Sequence, residues 1–200
     1  MLAHLHTRSW FSFQNGGSSP EDLAERAARL GISALGLVDR NGVYGAVRFQ
    51  EACRERGVHP VIGAEVDVLP VMESSIDNPL RRVGGSRPSS RRRSRQSRED
   101  RDAEQAEASP IVLLAASRTG YRNLCQVLTS AHLRNREDPK ATLGELSDHT
   151  DDLYCLTGTF GSRLWKLVDD RRPAAAERWV EVLERIYSDR LSIELSNHLL

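Results

Sequence analysis

A chain of 200 residues with 39% hydrophobic and 6% aromatic side chains suits one domain with one ordinary core. Its 28 basic and 28 acidic residues cancel, so no whole-molecule field favours a nucleic acid or a membrane surface, and any such case must come from local clusters. Three widely spaced cysteines, Cys53, Cys125 and Cys155, exclude a disulfide framework or zinc ribbon, and no apolar run approaches the ~20 residues of a membrane span or signal layout, so a cytoplasmic protein with reduced core thiols is expected.

Leu2 to Thr7 reads as a first strand, followed by a loop through Asn15-Gly16-Gly17. Ser19 can then cap the free amides of a helix, with Pro20 suited to its first turn and Glu21 and Asp22 at the positive end of its dipole. Leu23, Ala27 and Leu30 are expected on the buried face, and Gly31 ends the helix. Ala34 to Asp39 is apolar enough for a strand covered on both faces. A helix over 43–56 places Ala46, Phe49 and Cys53 at helical spacing, and Val58 to Leu69 supplies a third strand.

The rhythm stops between residues 70 and 109. Arg81, Arg82, Arg87, Arg91, Arg92, Arg93, Arg95, Arg98 and Arg101 lie among Ser, Gly and Pro, and the stretch ends in Glu99, Asp100, Asp102, Glu104 and Glu107. Such a segment has little to bury and is expected to be a disordered insertion. Its first reading is a solvated loop whose charge blocks partly neutralise each other. Its second is a basic arm for nucleic-acid phosphates, centred on Arg91, Arg92, Arg93 and Arg95.

Ile111 to Ala115 resumes as a strand, and Tyr121, Leu124, Cys125 and Leu128 mark the helix after it. Leu143 to Leu146 reads as a brief helix and Leu153 to Thr157 as a fifth strand. Leu164, Leu167 and Val168 mark a short helix, and Pro173 opens a longer one burying Trp179, Val182, Leu183 and Ile186. Leu191 to Leu195 is a sixth strand. Repeated βα units with parallel strands imply either an open doubly wound sheet or a closed barrel, and periodicity does not choose between them.

In both architectures functional groups gather at the carboxyl ends of the strands, where His4, His6, Asp39 and Glu65 fall. Histidines two apart on a strand share a face and can hold one metal ion. His4 also fits an exposed strand residue, Asp39 a hydrogen bond to the following turn, and His59, His132 and His149 a surface without partners.

The runs His4-Leu5-His6-Thr7-Arg8-Ser9, Ser18-Ser19-Pro20-Glu21-Asp22-Leu23, Ala34-Leu35-Gly36-Leu37-Val38-Asp39 and Pro60-Val61-Ile62-Gly63-Ala64-Glu65 resemble the PHP (polymerase and histidinol phosphatase) domain found at the N-terminus of bacterial DNA polymerase III α subunits and their error-prone paralogues. The likeness continues through Ile111-Val112-Leu113-Leu114-Ala115, Gly120-Tyr121-Arg122-Asn123-Leu124-Cys125 and Ile193-Glu194-Leu195. It implies an α/β fold of the distorted (βα)7 barrel type, here incomplete at the C-terminus, over residues 1–200 and interrupted by 70–109.

The resemblance also implies a polynuclear metal site, and carrying its ligands over leaves a depleted set. The first histidine pair falls at His6 and Arg8, and the acidic residue of the next loop at Asn15. Asp-His of the second strand falls at Asp39-Arg40, and the bridging glutamate at Glu65. Pro110 stands for a histidine and Thr159 for a cysteine or histidine, while the final Asp-x-His pair would lie beyond Leu200. His6, Asp39 and Glu65 are therefore vestigial ligands, and Arg8 or Arg40 is expected to pair with Glu65 where metal would sit.

The leading expectation is a metal-free PHP domain with a structural, partner-binding role in replication or translesion synthesis. Its partners would be polymerase domains of the same or a neighbouring chain, with DNA and a proofreading subunit as further candidates. No cofactor is expected, and no catalytic residue. The rivals are an active PHP phosphoesterase or 3′-5′ exonuclease using zinc or manganese, and a nucleic-acid-binding module built on the arginine-rich insertion.

Overall fold

A computed structural model describes residues 2–69 and 108–195; residues 70–107 of the expected 70–109 insertion, with Arg91, Arg92, Arg93 and Arg95, lie outside the described residues, as does His198, while Ser109 belongs to a strand. In chain order the elements are β1 (Ala3–Thr7), α1 (Pro20–Arg29), β2 (Ala34–Arg40), α2 (Ala46–Glu55), β3 (His59–Val68), β4 (Ser109–Ala115), α3 (Arg118–Arg134), α4 (Leu143–Asp148), β5 (Leu153–Leu156), α5 (Arg163–Asp169), α6 (Pro173–Tyr187), a short 3-10 turn (Ser188–Arg190) and β6 (Leu191–Ser192). Ser19 caps α1 in a full capping box with Asp22, and Thr142 does the same for α4 with Glu145.

One sheet runs in the order β1-β2-β3-β4-β5-β6. Its helices decide the architecture. Leu35 and Leu37 of β2 pack with Ala24, Ala27, Phe49 and Cys53 of α1 and α2, and Val66, Ile111, Leu113 and Cys155 pack with Leu124, Trp179 and Leu183. The alternate residues Leu5, Val38, Val61, Val112, Leu114 and Leu156 cluster on the other face, among themselves. Helices on one face of a sheet whose opposite face is lined by its own strands make a half-barrel, as the resemblance implies, and a doubly wound sheet would carry them on both.

Strand direction departs from the expected all-parallel pattern. β1, β2 and β3 are parallel, and so are β5 and β6, but β4 is antiparallel to both neighbours. A parallel neighbour requires the chain to cross back to the end where the previous strand began. Ser109 instead pairs with Val68, so β4 sets out from the end where β3 finished, two residues earlier than the expected Ile111. The sixth strand is also shorter than expected, Leu191–Ser192 only. Leu30, expected on the buried face of α1, is exposed, because Ala24 and Ala27 form the contact with the sheet, and Ile186 is half-buried beside the fully buried Tyr187. Cys53 and Cys155 are buried and Cys125 is half-buried, all three as free thiols.

Candidate functional site at the strand ends

The carboxyl ends of β1, β2 and β3 and the amino end of β4 converge, and the reversal of β4 is what brings Pro110 there, opposite Asp67. Pairing between β1 and β2 slips on the way: the four residues His4 to Thr7 of β1 run alongside the three residues Leu35 to Leu37 of β2. This bulge lets the chain press onto Gly36, where a Cβ would lie 2.3 Å from the Leu5 carbonyl oxygen.

His6 sits at the centre. Its Nε2 is 3.2 Å from Glu65 Oε2 and its Nδ1 2.8 Å from Glu194 Oε1. Arg8 donates to the same Glu65 oxygen through Nε at 3.0 Å and through a terminal nitrogen. Glu194, two residues past β6, is anchored by its backbone N–H to Thr157 Oγ1 at 3.1 Å. His6 thus joins the two borders of the sheet through Glu194, and Glu65 of β3, at 4% exposure, holds its other nitrogen.

Arg40 stands opposite Glu65 in the strand register but reaches past it. Its Nε donates to Asp67 Oδ2 at 2.9 Å, and Asn41 Nδ2 donates to the same oxygen at 2.7 Å. Asn41 Oδ1 in turn accepts the Asp67 N–H at 2.9 Å. Of the two arginines expected near Glu65, Arg8 takes it and Arg40 takes Asp67.

Asp39 belongs to a different environment. It follows Leu35 and Leu37 in the alternation and so faces the helices, whereas Glu65 follows Val61 on the concave side. Its carboxylate accepts the Ser9 N–H, the Ser9 hydroxyl and the Ser12 hydroxyl at 2.8, 2.8 and 2.7 Å. With 1% exposure it pins the loop after β1, not a metal beside His6. Asn15 is exposed, and its side-chain amide donates to the Phe13 carbonyl at 3.3 Å. Thr159 lies on the loop after β5, flanking the groove between α5 and α6. His4 is exposed, and His132, expected on a surface without partners, bonds the Asn41 carbonyl oxygen at 2.8 Å.

The electrostatics follow the geometry. Burial opposes the charged form of His6, but its hydrogen bonds to Glu194 and Glu65, with the charge of both, outweigh it and raise the imidazole to about 9. Burial likewise opposes ionisation of Glu65, and the His6 hydrogen bond and the Arg8 guanidinium reverse that and hold its carboxyl below the ordinary value. Both nitrogens of a protonated imidazole donate, so neither is free to ligate.

A two- or three-metal centre needs several donors around each ion and an unobstructed bridging carboxylate. Here a guanidinium and an imidazole share Glu65 Oε2, and Asp39 has its oxygens filled by serines. Among the described residues no group of three or more His, Cys, Asp or Glu side chains is placed to hold a metal ion. The described residues do not fit a polynuclear centre.

Glu194, Asp67, Ser9, Ser12 and Asn41 were not singled out by their sequence. Asp67 had a signal, being two residues from Glu65 on the same strand and therefore on the same face. Glu194 had none, because only the curl of the sheet brings it to His6.

The PHP domain family matches residues 4–198. The error-prone DNA polymerase of Mycobacterium tuberculosis is 34% identical over 200 residues, covering 98% of this chain and 16% of that protein. The error-prone DNA polymerase of Mycolicibacterium paratuberculosis is 33% identical with the same coverage. The DNA polymerase III subunit alpha of Treponema pallidum is 29% identical over 199 residues, 98% of this chain and 15% of its own length. The chain therefore spans about a sixth of these relatives. With a half-barrel fold and a family match over nearly its whole length, the chain belongs to the PHP domain family.

Proposed function

We propose that this chain is a metal-free PHP module that serves a DNA polymerase III α-type polymerase as a structural platform, held together at its former metal site by side-chain ion pairs. The observation that carries the reading is the pair of Arg8 nitrogens on the carboxylate that would bridge the metals. A dication on Glu65 has to displace that guanidinium and sit beside it, and Arg, unlike Lys or His, cannot relieve the conflict by losing its proton. The names of the relatives supply the partner: polymerase domains of the same or a neighbouring chain.

A second reading rests on different atoms. Glu194 Oε2 and Asp67 Oδ1 are buried without a hydrogen-bond partner, which leaves acceptors for a cation and favours a metal-dependent phosphoesterase. Metal analysis separates the two. The full chain, purified with zinc and manganese supplied and then exchanged into metal-free buffer, should retain no stoichiometric metal and should not hydrolyse p-nitrophenyl phosphate. Retention of an equivalent of either metal with turnover establishes the second reading. Arg8→Ala sharpens the result, since it lowers the melting temperature of an ion-paired platform and raises the metal affinity of a phosphoesterase.

A further inference from the structure

The loop that leaves β5 is tightly held. Gly158 and Gly161 have φ of +77° and +83°, and a Cβ at Gly158 would lie 3.0 Å from both the Pro110 carbonyl oxygen and Ser162 Cβ. Ser162 is fully buried and caps α5 by accepting the Trp165 N–H at 3.2 Å. Thr157, also fully buried, anchors the segment after β6 through Glu194. This ordered loop holds Phe160 at 71% exposure, with its ring centroid 4.5 Å from that of Trp165. Val168, Ile193 and Leu195 are exposed close by, and with Val180 of α6 they line a groove of about 760 Å³.

Among the described residues this aromatic pair is left facing water by a preorganised loop, and clustered exposed apolar side chains mark interaction sites. The charge of the groove limits the partner. Among the described residues every charged side chain in its lining is a carboxylate: Glu177, Glu181, which lies 4.0 Å from Arg185, and Glu194, which is bonded to His6. That set repels nucleic-acid phosphates and anionic lipid and attracts cationic side chains. Phe160 and Trp165 offer a surface on which apolar side chains and guanidinium planes both pack.

We propose that this groove docks a polypeptide segment from outside the chain that presents apolar side chains flanked by lysine or arginine. Glu194 lines the groove and also belongs to the network around Glu65 through His6, whereas Phe160, Trp165, Glu177 and Glu181 take no part in that network, so substitutions at these four test the docking apart from the metal-free reading.

The test uses the full chain and two fluorescein-labelled synthetic peptides, each with three spaced apolar residues, flanked by arginines in one and glutamates in the other. In anisotropy titrations the basic peptide should bind at least about tenfold more tightly. Phe160→Ser and Trp165→Ala, both exposed changes whose folding is checked by circular dichroism, should each weaken it by about tenfold, in the range of an interface hot spot. Glu177→Lys with Glu181→Lys should invert the preference. Equal binding of both peptides, or binding unmoved by Phe160→Ser, overturns the proposal. So does a concentration-dependent dimer dispersed by Phe160→Ser, which makes a second copy the occupant, or binding that emerges only when residues 81–101 are deleted, which makes the chain's own arginines the occupant.

Discussion

The two halves of the sheet treat exposed chemistry in opposite ways. In the half built from β1, β2 and β3, the charged side chains at the strand ends are paired internally: His6 and Arg8 with Glu65, Arg40 with Asp67. In the half built from β5, β6 and α5, Phe160 and Trp165 pack on each other and, with Val168, Ile193 and Leu195, face solvent among the described residues. The contrast teaches where this domain holds itself together and where it is open to others. A strand end filled with matched ion pairs contributes to folding and offers little to a ligand, whereas an ordered apolar surface rimmed with carboxylates contributes little to folding and much to association.

Breaking the first region should cost most. Glu65→Ala leaves Arg8 and His6 facing each other without the carboxylate between them, and should destabilise the fold by about 3 kcal/mol, the low end for a buried pair because Arg8 keeps part of its surface in water. Urea unfolding measures it; an unchanged midpoint removes Glu65 from the core of the network. Asp39→Asn should cost about 2 kcal/mol, since an amide presents a donor where three donors converge.

A weaker probe is pH. Because the His6 imidazole is raised to about 9 in the folded chain, its contribution to stability is complete below its unfolded value near 6.5 and is lost as pH rises through 9. Glu65 has the opposite sign: its depressed carboxyl contributes stability above the ordinary value of 4.5 that is lost as pH falls through the lower folded value. Stability should therefore be greatest between about pH 5 and 6.5, with a slope on the alkaline side of at most about 1.4 kcal/mol per pH unit for one proton. Denaturant midpoints across pH, with the His6 ring followed by NMR, check it; a His6 that titrates near 6.5 refutes the pairing. Smallest of all, Phe160→Ser should change stability by less than about 0.5 kcal/mol while removing the peptide binding described above. A large loss of stability there would erase the contrast between the two regions.

Much of the fold was legible in order along the chain. The α1 capping box, the Leu35-Leu37 stripe and the alternation around Glu65 are local patterns, and each element formed where its period indicated. The boundary of β6 and the direction of β4 were not, because both depend on which strand lies alongside. Within the site, His6 and Glu65 are legible at the strand ends, Arg8 and Arg40 follow from the family resemblance, and Asp67 is within reach of its spacing from Glu65. The side to which Asp39 turns is set by the alternation within β2, yet its serine partners come from the loop after β1 and are recruited only when that loop folds over the strand.

The sequence by itself determined the βα rhythm and the family, and it put Arg8 and Arg40 close to His6 and Asp39 at the strand ends, since these are properties of residue type and spacing. Only the tertiary structure decided that Arg8, and not Arg40, reaches Glu65, and that Glu194 closes the network from 188 residues beyond His6. The physical reason is that charge partners are chosen by distance in space, and the curl of a sheet joins its two edges however far apart they lie along the chain.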